Sequence, residues 1–130
     1  MIHGRHYTLD QASELLPHVV GLLERMRAAR DRLGDREARE ALSEAGPTNG
    51  GGGPGRTVSR GFLELRDSMA ELRELEVVLR DLDRGLLDFP SLRDGREVYL
   101  CWQEGEDAIE YWHEPEAGFA GRQRLDDGGG

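Results

Sequence analysis

"VYLCWQEGEDAIEYWHE", residues 98–114, holds both tryptophans, two of the three tyrosines, the single cysteine and one of the four histidines of a 130-residue chain. The flanks "REVYLCW" and "AIEYWHE" are rich in β-branched and aromatic residues, and Gly105 between them supplies the positive φ that a tight turn requires, so the stretch predicts a β-hairpin. With Glu104 and Gly105 as the turn, Leu100 pairs with Ile109 and Val98 with Tyr111. Val98, Leu100, Trp102, Ile109, Tyr111 and His113 then share one face, and Tyr99, Cys101, Ala108, Glu110 and Trp112 the other. Both faces are more apolar than a half-exposed sheet needs. One is therefore expected to cover helices, and the other to meet "EPEAGFAGRQ" or a second subunit.

Upstream, "YTLDQASELLPHVVGLLERMRAARDRL" predicts a helix. Thr8 and Gln11 have capping-box spacing, in which each side chain satisfies a backbone N–H left open at the helix start. Leu15, Val19, Leu22, Met26, Ala29 and Leu33 recur at alternating spacings of four and three, a seam that a helix can bury. Pro17 deletes a backbone hydrogen bond and predicts a kink near Ser13–Pro17. "DREAREALSEAG" after Gly34 stays helix-compatible, and residues 46–59, "GPTNGGGGPGRTVS", read as a flexible linker because glycine leaves the backbone too free to order. A second helix is expected from about Arg60, with Phe62, Leu65, Met69, Leu72 and Leu75 as its stripe. If it continued through "LEVVLRDLD", Glu76 and Asp83 would both point inward. Val77 and Val78 are β-branched, however, so the helix is expected to stop near Leu75 or Glu76 and a short strand to follow from Val77 to about Leu82. These elements give an α+β fold, an antiparallel helical hairpin packed on a small antiparallel sheet of two or three strands. It forms one domain over residues 1–125, with a disordered tail at 126–130.

The chain has 26 acidic and 17 basic residues, all of the latter arginine, and a net charge of −9 that argues against a phosphate-binding surface and so against nucleic acid as a partner. Cys101 is alone, so neither an intrachain disulfide nor a multi-cysteine metal site can form. No stretch approaches the roughly 18 to 20 apolar residues of a membrane span, and "MIHGRHYTLD" lacks the apolar run of a signal peptide. The expectation is a soluble cytoplasmic protein without a membrane partner.

"YTLDQA" with "LLP" at Leu15–Pro17, "GLLDFP" from Gly85, "LCW" ending at Trp102, "GE" at Gly105 and Glu106, "WH" at Trp112 and His113, and "GFAGR" from Gly118 to Arg122 together resemble DUF2203, a small prokaryotic family of unknown function. The resemblance implies a bacterial or archaeal cytoplasmic protein and carries no catalytic residues with it.

The candidate binding residues are Asp88, Trp102, Glu106, Trp112, His113 and Arg122. His113 with Asp88 and Glu106 is a sufficient first shell for zinc, iron or manganese, since imidazole and carboxylate suit all three. Against this stands the absence of H-x-x-E or C-x-x-C spacing, and a structural network in which Arg122 holds Asp88 or Glu106 accounts for the same residues. Asp88 is also placed to cap a turn before Pro90. Glu14 with His18 shares a helix face but reads as a solvated pair. Cys101 and His113 fall on opposite faces in the expected register, which makes Cys101 a buried structural thiol. A non-catalytic interaction or dimerisation module, most simply a two-fold dimer, is the leading functional expectation. A small-ligand or divalent-metal protein is the alternative, and catalysis is disfavoured.

Overall fold

The computed structural model describes residues 1–42 and 59–125; the expected linker, apart from Ser59, and the expected tail lie outside them. Helices α1 (Leu9–Asp31), α2 (Asp35–Leu42) and α3 (Arg60–Leu75) precede strands β1 (Val78–Asp81), β2 (Leu86–Arg93), β3 (Arg96–Gln103), β4 (Tyr111–His113) and β5 (Gln123–Arg124). The strands form one antiparallel meander in the order β1-β2-β3-β4-β5. The chain divides into two compact units, Met1–Val19 with Leu72–Gly130, and Val20–Glu71. In the first, Tyr7 and Ala12 are buried together with most of β2 and β3; in the second, Leu22, Leu23, Met26, Ala29 and Leu65 are buried.

Local chemistry sets the helix ends. Thr8 N–H donates to Gln11 Oε1 at 2.9 Å and Gln11 N–H to Thr8 Oγ1 at 3.1 Å, the reciprocal capping box. Ser59 Oγ accepts Phe62 N–H at 3.1 Å and starts α3. At the far end of α3, Val77 N–H reaches Leu72 O and Glu76 N–H reaches Arg73 O. These are the paired bonds of a Schellman ending, with Glu76 at φ 60 in the left-handed position that glycine usually holds. The helix therefore stops at Leu75 and the β-branched pair leads into β1, as the valines predict.

Two expectations are overturned. The sheet has five strands rather than two or three. The helical part is not the expected two-helix hairpin: α1 and α3 each have residues in both compact units, and α2 is a separate helix after a break at residues 32–34. The added strand β2 covers the stretch where Asp88 before Pro90 reads as a turn cap, and a proline within a paired strand must leave no ladder donor missing. Pro90 O accepts Tyr7 N–H at 2.7 Å, and in a strand a residue's N and O point to the same side. The missing N–H of Pro90 therefore faces outward, beyond the end of β1 at the Val78–Asp88 pair, where no ladder bond is lost. β2 and β3 join through Asp94 and Gly95, both at positive φ (54° and 79°), a two-residue turn whose twist matches that of the strands.

The third correction is register. β3 and β4 pair Tyr99 with His113, Leu100 with Trp112 and Cys101 with Tyr111. This lies three residues from the expected register, because residues 104–110 form a longer connection than a two-residue turn. An odd shift exchanges the faces of one strand relative to the other. Tyr99 and Cys101 consequently share a face with Tyr111 and His113, while Val98, Leu100 and Trp102 share theirs with Trp112.

Candidate functional site

Strand pairing brings three potential ligands together. Asp88 lies opposite Cys101 in the β2–β3 ladder, and Cys101 lies opposite Tyr111 in β3–β4, one residue pair from His113. Pro90 turns its backbone N and O away from β3, its O accepting Tyr7 N–H, so Pro90–Tyr99 is a non-hydrogen-bonded pair. Asp88–Cys101, two residues along, is another and brings its side chains closer than a bonded pair would. The carboxylate, Sγ and imidazole nitrogen all lie within 4.8 Å of one another, and all three residues are buried.

Neighbouring groups orient this cluster. The register of β1 shifts between Leu79 and Asp81, making Arg80 the extra residue, and a bulge of this kind re-aims a side chain. Arg80 Nε donates to Asp88 Oδ2 at 2.8 Å, and the same oxygen lies 3.0 Å from His113 Nε2. His113 Nδ1 must carry a proton, because its partner at 2.8 Å is the carbonyl oxygen of Glu114. In the metal-free protein a second proton must then lie between Nε2 and the Asp88 carboxylate. Burial pulls the His113 pKa down, but the hydrogen bonds to Asp88 and Glu114 outweigh it and raise the value above the usual one. Burial pushes the Cys101 thiol up to about 12, with Asp88 adding to the effect and Arg122 opposing it. Asp88 Oδ1 is fully buried and has no hydrogen-bond partner, which is costly for a carboxylate oxygen.

Tyr99 borders the cluster, its ring centroid 5.5 Å from that of His113 and 5.1 Å beneath the Arg80 guanidinium. Its hydroxyl donates to His3 Nε2 at 2.7 Å while His3 Nδ1 donates to Glu76 Oε1 at 3.0 Å, the tautomer being fixed because the carboxylate can only accept. Glu97 fastens the same N-terminal segment through Ile2 N–H, His3 N–H and His6 Nε2.

Of the residues singled out from sequence, Asp88 and His113 meet. Asp88 does so from within a strand rather than as a turn cap. Glu106 pairs with Arg122 at 2.8 Å, and its other oxygen accepts Gln103 N–H at 2.8 Å. Arg122 Nη1 is also 4.0 Å from Cys101 Sγ, and its guanidinium lies 4.0 Å and 4.1 Å from the ring centroids of Tyr111 and Phe119. Trp102 and Trp112 are on the opposite face of the sheet; Trp102 Nε1 donates to Glu106 O at 3.1 Å, and Trp112 sits under Arg93. Cys101, Arg80, Tyr99 and His3 are the site residues that the sequence reading missed. The signal for Cys101 was present, since an Asp-Gly turn at 94–95 pairs Arg93 with Arg96 and, counting back, Asp88 with Cys101.

Fold and site together define a protein in which helices lead into a five-stranded antiparallel meander carrying a buried Asp–Cys–His cluster under two arginines. Its sequence matches the family model of an uncharacterized conserved protein, DUF2203, over residues 5–125. The chain belongs to the DUF2203 family. No curated protein and no solved structure matches it.

Proposed function

We propose that the protein binds one divalent metal ion through Asp88, Cys101 and His113. The observation that carries this reading is the buried, partnerless Oδ1 of Asp88, on a carboxylate that lies within 4.8 Å of the Cys101 and His113 donor atoms. A cation supplies what that oxygen lacks and replaces the proton that otherwise bridges His113 Nε2 and Asp88. The Glu114 carbonyl on Nδ1 is the outer-shell contact that fixes a ligating imidazole in its tautomer. A thiolate in the set favours zinc or ferrous iron over manganese. Donor atoms around tetrahedral zinc with one sulfur lie about 3.3 to 3.5 Å apart, so from within 4.8 Å the widest pair has to close by at most about 1.5 Å, within the reach of side-chain rotation. When bound, the ion supplies Lewis acidity; Arg80 orients Asp88, and the Glu106–Arg122 pair stands beside Cys101.

Among the described residues no helix is long and apolar enough to cross a membrane. A cytoplasmic location is part of the proposal, because a reducing compartment keeps the lone thiol available as a ligand. The interaction-module reading rests on the sequence alone and is kept as a separate proposal of self-association. The metal reading is tested by competition with a chromophoric zinc chelator: the wild type should take up one equivalent, and Cys101→Ala and Asp88→Asn should lose it while keeping the wild-type circular dichroism. Uptake unchanged in both variants would refute the assignment.

A further inference from the structure

The described residues offer this centre three donors, and a fourth protein ligand is hard to find. Glu106 is the third metal candidate among the residues singled out from sequence, but one of its oxygens accepts the Gln103 N–H and the other the Arg122 guanidinium. A tetrahedral ion held by three side chains keeps its fourth position for an exogenous ligand.

Charge decides what that ligand is. A divalent ion bound by the Cys101 thiolate and the Asp88 carboxylate is neutralised, and a neutral imidazole adds nothing. Arg80, 2.8 Å from Asp88 Oδ2, then leaves the centre net positive, because its counter-charge is shared with the metal. Arg122 is balanced by Glu106, yet it stands 4.0 Å from Cys101 Sγ and is steadied between two aromatic rings. The ligands themselves are buried, whereas the side chains of Arg80 and Arg122 retain 42% and 14% exposure. A ligand arriving from solvent therefore meets guanidinium groups, which suit carboxylate oxygens by shape as well as by charge.

Resting on the metal reading, we propose that this is an open centre whose fourth position takes a small carboxylate, recognised by Arg80 and Arg122, rather than a closed structural site. The test uses the full chain loaded with cobalt(II), which reports its coordination in the visible spectrum and its thiolate in the near ultraviolet. Titration with acetate should shift the visible bands saturably, and Arg122→Gln and Arg80→Gln, with the response normalised to the cobalt each variant binds, should weaken the acetate affinity by about tenfold or more. A cobalt–thiolate spectrum that acetate leaves untouched would overturn the open-centre inference and leave the metal reading standing. Equal acetate affinity in wild type and both variants would overturn the arginines' role. Failure to bind cobalt at all would remove the metal reading, and this inference with it.

Discussion

Replacing His113 by alanine in the metal-free protein should cost about 3 to 5 kcal/mol, at the upper end of single-substitution effects. His113 and Asp88 are 1% and 2% exposed in their side chains and 3.0 Å apart. Removal of the ring leaves a buried carboxylate with Arg80 as its remaining donor, since Oδ1 already has none. The Glu114 carbonyl loses its imidazole donor as well, at about 1 kcal/mol, and the vacated ring volume adds a cavity term. His113→Gln, which keeps a donor of similar reach, should lose roughly half as much. Urea unfolding at constant chelator concentration measures the difference, and a lowered midpoint with an unchanged slope reports stability alone. The pH dependence supplies a second readout. The folded His113 pKa is raised above the ordinary 6.5, so its contribution is fully present below about 6.5 and is lost as pH rises through the folded value. That loss should be absent in His113→Ala. A destabilisation below about 1 kcal/mol in the metal-free protein would refute the buried-pair argument.

Glu97 should confer acid sensitivity. Burial pushes its pKa up, but the Ile2 and His3 N–H groups and His6 outweigh this and hold it at about 2, against 4.5 unperturbed. Its contribution is present above pH 4.5 and declines as pH falls toward 2, and Glu97→Gln should flatten that part of a stability–pH curve. Gly95→Ala should cost about 1 to 2 kcal/mol in thermal or urea unfolding because φ is 79° there; a neutral effect would mean that the turn tolerates another conformation. Self-association is expected as a two-fold dimer, and sedimentation showing monomer alone at micromolar concentration would remove that proposal.

The elements that were legible in the sequence are those fixed by local chemistry. The Thr8–Gln11 capping box starts α1, and the β-branched Val77–Val78 pair turns the chain from helix to strand. Val19, Leu22, Met26 and Ala29 of the apolar seam are buried. What local chemistry does not fix was misread. Asp88 before Pro90 reads as a turn, whereas Pro90 is tolerated inside β2 because β1 is too short to reach it, a property of another strand. Gly105 suggested a hairpin turn at 104–105, while the more specific Asp94–Gly95 signal eight residues before Trp102 went unused. The resulting odd register error had one chemical consequence: it separated Cys101 from His113 and dismissed the thiol. Asp88 and His113 were still found as a pair, because residue type alone marks them, whereas Arg80 reaches the site through a bulge that no sequence period announces.

Elemental analysis of the untagged protein, purified without chelator and again after incubation with zinc and gel filtration, tests the metal assignment most directly. The account predicts close to one equivalent of bound zinc or iron per chain, and on the order of a tenth or less in His113→Gln and Cys101→Ala of verified fold. Wild-type protein that carries no stoichiometric metal in either preparation would contradict it, and the Asp88–Cys101–His113 cluster would then stand as a buried ion pair beside an inert thiol.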